Sequence, residues 1–194
     1  LVPRNMVQAS GMYNSLLQCE EPAVLIESLN GYRLKESEPT NLSEFTVLLG
    51  KAEILKKGFD ITVVSYGSTL RLVEKAAIEL KNLNIDIEII DLQTLIPFDK
   101  EEIVKESLKK TSKLLIVDED LPGGASSYIL QKILEEQNCF SLLDSKPVTL
   151  TSKAHRPAYG SDGDYFSKPS IDDIVEKANK IMNEYDPNNY PEII

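Results

Sequence analysis

Histidine, cysteine and unbroken apolar sequence are all scarce in this 194-residue chain. The single histidine, His155, leaves little to build a histidine-based catalytic site from. Two cysteines, Cys19 and Cys139, are too few and too far apart for a disulfide framework or a metal cluster, and read as reduced intracellular thiols. The longest apolar runs, Ile61 to Val64 and Leu114 to Val117, fall far short of the ~20 residues that cross a bilayer, so no membrane role is expected. Val7 to Gln18 has neither the basic stretch nor the continuous apolar run of a signal peptide, which points to a cytoplasmic location. Positive charge is short as well. With 21 Lys and Arg against 31 Asp and Glu, the net charge of −10 argues against nucleic acid and favours a basic protein partner.

What is present suits a folded domain. Hydrophobic residues make up 42% and charged residues 27%, near the soluble average. At roughly 150 residues per domain, the length allows one core and an appendage. Leu1-Val2-Pro3-Arg4 resembles a protease-cleavage remnant, so residues 1–6 are expected to stand outside the fold. Met12, Leu16 and Leu17 recur at helical spacing, Glu20-Glu21-Pro22 ends that helix, and Ala23 to Ile26 reads as a buried strand. One helix and one strand cannot form a core, which suggests that residues 7–29 end a preceding domain. The polar stretch at 30–43, with Gly31, Arg33, Lys35, Glu36, Glu38 and Pro39, is the expected linker.

Strand and helix patterns then alternate over 44–194. Thr46 to Leu55 is expected to add an edge strand. Ile61 to Tyr66 is a β-branched strand, followed by Gly67-Ser68 and a helix marked by Leu70, Val73, Ala76, Ala77 and Leu80. Ile85 to Leu92 is the next strand, after which Asp99 and Glu102 have the spacing of a capping box. Leu114 to Val117, a helix through Gln137, a strand over Pro147 to Thr151 and a helix starting at Ser170, with Asp173 three residues on, complete the order. The alternation predicts an α/β fold: three layers, with a mostly parallel sheet covered by helices on both faces.

Candidate chemistry is sparse. His155 lies in a loop with no nucleophile at a telling spacing. Gly67-Ser68-Thr69 and Gly123-Gly124-Ala125-Ser126 stand where strands pass into helices and could cradle phosphate, but neither fits a known glycine pattern, and turn relief with serine capping accounts for both. Asp118-Glu119-Asp120 closes a strand at the edge where α/β proteins bind ligands, yet adjacent side chains diverge and no fourth oxygen ligand is evident. Asp162-Gly163-Asp164 lacks the downstream glutamate of a calcium loop. No complete active site, cofactor site or metal site is expected.

Several segments resemble a known family. Leu49-Gly50-Lys51-Ala52, the run from Lys57 to Gly67, Ile90 to Asp99, Lys110 to Glu119, and Leu143 to Val148 follow the order seen in the carboxyl-terminal (transketolase C-terminal-like) domain of 2-oxoacid dehydrogenase beta subunits. These subunits belong to the decarboxylating component, in the transketolase superfamily. Pro22 to Glu27 is similar to the last strand of that family's pyrimidine-binding domain. The likeness covers about Ser10 to Ile181. It departs at Gln93, where the family usually has arginine, and at the long segment from Ala158 to Pro169.

The resemblance implies thiamine diphosphate and Mg²⁺ in a full enzyme that removes CO2 from a 2-oxo acid and passes the acyl unit to lipoamide. It also implies that the cofactor motifs lie outside this chain, which is then inactive alone and serves assembly. Implied partners are an alpha subunit or fused alpha region, a second beta subunit, and the basic subunit-binding domain of the lipoyl acyltransferase. Asp144 matches the acidic position before the family's Pro-Val strand and is the first docking candidate, followed by Glu119, Asp120 and the carboxylate of Ile194. Two other readings are a piece of another thiamine enzyme, of transketolase or deoxyxylulose phosphate synthase type, and a self-standing binding module.

Overall fold

The computed structural model describes residues 1–36, 40–156 and 163–193. Five strands form one sheet: β1 (Glu53–Lys56), β2 (Ile61–Ser65), β3 (Ile87–Asp91), β4 (Leu114–Val117) and β5 (Val148–Leu150), in the order β1-β3-β2-β4-β5. All neighbours pair in parallel except β1, which runs antiparallel to β3 with a bulge between Ile54 and Lys56. The helices are α1 (Met6–Leu17), α2 (Leu70–Asn82), α3 (Ile103–Thr111), α4 (Ala125–Gln131, continued by a π turn over Lys132–Glu136), α5 (Gly163–Ser167) and α6 (Ile171–Tyr185).

The period-two alternation of the strands sorts their side chains into two cores. Ile61, Val63, Ile87, Ile89, Leu115 and Val117 face α2 and α6, against Leu70, Val73, Leu80, Ile174 and Ile181. Val64, Ile90, Leu114 and Ile116 face the other way, against Val104 and Leu108 of α3 and Ile129 of α4. This is the three-layer α/β arrangement that the sequence predicts. Thr62 points into the second layer and is satisfied there, its Oγ1 lying 2.6 Å from Ser107 Oγ and 2.7 Å from Thr111 Oγ1. Ser170 Oγ accepts from the Asp173 N–H at 3.1 Å and Asp173 returns a bond to the Ser170 N–H at 2.8 Å, closing the expected capping box on α6. Ser170→Ala is expected to cost roughly 1 kcal/mol in urea unfolding, and an unchanged midpoint would remove the box as a stabilising element.

Four local expectations are corrected. Residues 1–6 are seated on the fold: the Val2 N–H donates to Gln93 O at 3.0 Å, Arg4 reaches Asp91, and Asn5 caps α1 through the Gln8 N–H. Ala23 to Ile26 joins no ladder. Its bonds run to Leu1, and Val24 and Ile26 are exposed because no second layer covers them. The edge strand is only Glu53–Lys56. Asp99 does cap α3, accepting from the Ile103 and Val104 N–H groups, but Glu102 takes a left-handed conformation (φ 53°) and pairs with Lys105, so no capping box forms. Among the described residues no helix is long and apolar enough to cross a membrane.

Candidate functional site

The connection from β2 passes through α2 to β3 on one side, whereas β4 lies on the other side of β2. The carboxyl ends of β2 and β4 therefore flank the switch point where open α/β sheets bind ligands. Both glycine turns and the Asp118-Glu119-Asp120 run are brought together here. Gly67 turns the chain with φ 59°. Ser68 does not cap α2; its hydroxyl donates to Glu119 Oε1 at 3.4 Å.

The buried Asp118 carboxylate is fully used. Its Oδ1 accepts from the Tyr66 hydroxyl at 2.6 Å and the Asp120 N–H at 3.0 Å, and its Oδ2 accepts from the Ser126 N–H at 2.8 Å. Asp118, rather than a serine, thus caps α4. Burial, together with the hydrogen bond to Asp118, pushes the Tyr66 hydroxyl well above the ordinary tyrosine pKa. Asp120 accepts from the Leu121 and Ala125 N–H groups, and Glu119 lies 3.3 Å from Lys168 Nζ. These carboxylates secure a turn, and their donor set does not fit a magnesium-diphosphate group. Among the described residues no cluster of three or more His, Cys, Asp or Glu side chains could hold a metal ion. His155 lies exposed beside Phe166, its Nδ1 2.9 Å from Arg156 O.

Asp144 is elsewhere. Its Oδ2 lies 2.9 Å from Lys113 Nζ, at the amino end of β4, whereas Glu119 and Asp120 follow the carboxyl end of that strand, whose four residues span roughly 13 Å. Lys113 also stacks 3.7 Å above the Tyr185 ring. Ile194, Asp162 and residues 157–161 lie outside the described residues; Gly163 opens α5, and Ser167 closes it.

Two features escape sequence reasoning. The first is a buried polar cluster on β3. Arg4 Nη1 lies 2.7 Å from Asp91 Oδ2 and 2.7 Å from Glu53 Oε2. Gln8 Nε2 donates to Asp91 at 3.1 Å and to Gln93 Oε1 at 2.6 Å, and Gln93 Nε2 donates to Lys51 O at 2.8 Å. The counterion of Asp91 comes from the amino-terminal segment, and Gln93 takes part in the cluster through its side-chain amide. The available signal was Asp91 itself, an acid closing a strand buried on both faces.

The second feature is an apolar face. α1 is held by the chain that follows it: Ser15 Oγ donates to Val47 O, and Asn14 Nδ2 donates to Leu42 O and Phe45 O. Its outer side and the segment after it remain uncovered, with Leu17 85% and Val24 72% exposed, and Ile96, in the turn after β3, borders the same face at 75% exposed. Leu16, Cys19, Pro22, Val24, Leu49 and Ile96 line a groove of ≈ 350 Å³ within this face. A contiguous apolar surface of this kind marks an interaction site.

Comparison with known proteins adds family information. The family described as "Transketolase, C-terminal domain" matches residues 50–172. The beta subunit of the pyruvate dehydrogenase E1 component of Mesostigma viride is 36% identical over 174 residues, covering 90% of this chain and 52% of that protein. The mitochondrial 2-oxoisovalerate dehydrogenase subunit beta 2 of Arabidopsis thaliana is 36% identical over 146 residues, covering 75% of this chain and 40% of that protein. The chain thus spans about half the length, or less, of these relatives. Among solved structures, a split-gene transketolase described as an inactive beta4 tetramer superposes with a TM-score of 0.68 at 21% identity, covering 94% of this chain and 57% of the other. A transketolase mutant from Pichia stipitis gives 0.51 at 17% identity, covering 71% and 18%. At these identities the structures speak for the fold alone.

Proposed function

The chain belongs to the transketolase C-terminal domain family, and on that premise we propose that it is the assembly region of the beta part of a thiamine diphosphate-dependent 2-oxoacid dehydrogenase. The names of the relatives support this reading, and the uncovered apolar face around α1 and Ile96 carries it. In this reading residues 7–29 finish the pyrimidine-binding domain, 30–43 link, and 44–194 assemble. The remainder of the beta polypeptide, a second beta subunit and an alpha part cover the apolar face. Thiamine diphosphate and Mg²⁺ are held by those other parts, so the isolated chain releases no CO2. Association buries groups such as Leu17 and Ile96, each worth about 1.5–3 kcal/mol when fully covered.

Docking of the basic subunit-binding domain of a lipoyl acyltransferase is assigned to Asp144. Glu119 and Asp120, at the opposite end of β4, would serve a separate contact.

Reconstitution tests the reading. Supplied with thiamine diphosphate, Mg²⁺ and either pyruvate or 2-oxoisovalerate, the chain alone is expected to give no turnover. It is expected to copurify with a polypeptide carrying the pyrimidine-binding and alpha regions, and the Leu17→Asp/Ile96→Asp chain is expected to lose that association at least tenfold. Turnover by the chain alone, or undiminished association of the double variant, overturns it.

A further inference from the structure

The opposite edge of the sheet holds a second surface, independent of the assembly reading. β5 pairs with β4 on its inner side, and among the described residues no strand pairs with its outer side. Four strand spacings, roughly 19 Å, separate this edge from β1, near which α1 packs. Between β5 and α6 runs a groove of ≈ 280 Å³ lined by Lys146, Val148, Lys177, Lys180, Ile181 and Glu184.

Its charge is unlike the rest of the molecule. Acids outnumber bases across the chain, and several lysines elsewhere hold a carboxylate, as Lys56 does with Asp86, Lys109 with Glu106 and Lys132 with Glu136. The ammonium groups of Lys146, Lys177 and Lys180 take part in no ion pair or hydrogen bond among the described residues. Lys177 and Lys180 are three apart on one side of α6, where like charges disfavour each other. Glu184, at one end of the groove, offsets only part of this charge. Lysine on an edge strand commonly guards against sheet-to-sheet pairing. That role would suit Lys146, but Lys177 and Lys180 stand on the helix and cannot serve it.

We infer that this groove binds an extended acidic segment of a partner protein. The segment adds to the free edge of β5 through its backbone and sets alternate carboxylates toward Lys146, Lys177 and Lys180, its intervening side chains turning to the opposite face. Backbone pairing supplies the strand and charge selects the sequence, the two components of strand-addition recognition.

The probe is a fluorescein-labelled decapeptide of alternating Glu and Val, titrated by fluorescence anisotropy against the full chain. Saturable binding that weakens with added salt is expected. The Lys177→Glu/Lys180→Glu chain, with circular dichroism verifying its fold, is expected to bind at least tenfold more weakly, whereas Lys81→Glu, a charge reversal on α2, leaves affinity unchanged. The same peptide N-methylated at alternate residues is also expected to bind at least tenfold more weakly. Absence of binding overturns the inference and leaves Lys177 and Lys180 as solvated surface charges. Equal binding of the N-methylated peptide, or full displacement by millimolar inorganic phosphate, makes the groove a general anion site and overturns it too.

Discussion

Arg4→Met is expected to destabilise the chain by about 3 kcal/mol, because it leaves the fully buried carboxylate of Asp91 without its cation. Gln8 and the Gln93 N–H still donate to Asp91, but hydrogen bonds from neutral groups compensate a buried charge only in part. The cost lies toward the lower end for such pairs since the Arg4 side chain is 21% exposed. For a chain of this size it corresponds to roughly 6–12 °C in melting temperature. Asp91→Asn in the Arg4→Met background is expected to restore most of the loss, which separates an orphaned charge from simple loss of packing. A shift below about 1 kcal/mol would mean that the Arg4–Asp91 pair contributes little to the fold.

The same pair sets a pH dependence. Burial raises the Asp91 carboxyl above its ordinary value, against the opposing pull of Arg4, Gln8 and the Gln93 N–H. A folded chain that retains a proton the unfolded chain has released is most stabilised by this group below the ordinary aspartate pKa, and loses that contribution as pH rises through the folded value. Without Arg4 the folded value climbs further. Urea midpoints of Arg4→Met should therefore fall more steeply between acidic and neutral pH than those of the parent chain, and parallel profiles would refute this origin.

Gly58→Ala is expected to cost about 3 kcal/mol. A Cβ at this position would overlap the Ile87 carbonyl carbon and oxygen and the Glu88 nitrogen, which are backbone atoms of a central strand and cannot swing aside. Nearby, the Phe59 and Asp60 N–H groups both donate to Asp86 O at 3.0 Å, so displacement at Gly58 would pull on the start of the β2–β3 ladder, where Ile61 pairs with Ile87. Thermal melting of Gly58→Ala and Gly58→Ser should show similar losses, because the first added carbon causes the clash. Stability equal to the parent would mean that the turn relaxes freely.

Gly58 also illustrates what the sequence makes legible. The Lys57-Gly58-Phe59-Asp60 phrase is recognisable as a family pattern, and the β-branched run after it declares its strand, but the strand that approaches the glycine lies about 30 residues away. Periodicity reports which residues face inward, so β2, β3, β4, α2 and α6 and the layered architecture can be read directly. It does not report partners. Arg4 and Asp91 meet across 87 positions, and Asp118 reaches Ser126 across a turn. The left-handed Glu102 turns to Lys105, so Asp99 caps α3 without the reciprocal bond of a capping box. Ala23 to Ile26 misleads for a different reason: four apolar residues look buried whether their cover is this chain or another.

The Lys113 ammonium, held between the Asp144 carboxylate and the Tyr185 ring, makes any recognition at Asp144 an exchange rather than an addition. An incoming cation meets an acid that is already neutralised and gains only the difference between itself and the resident lysine.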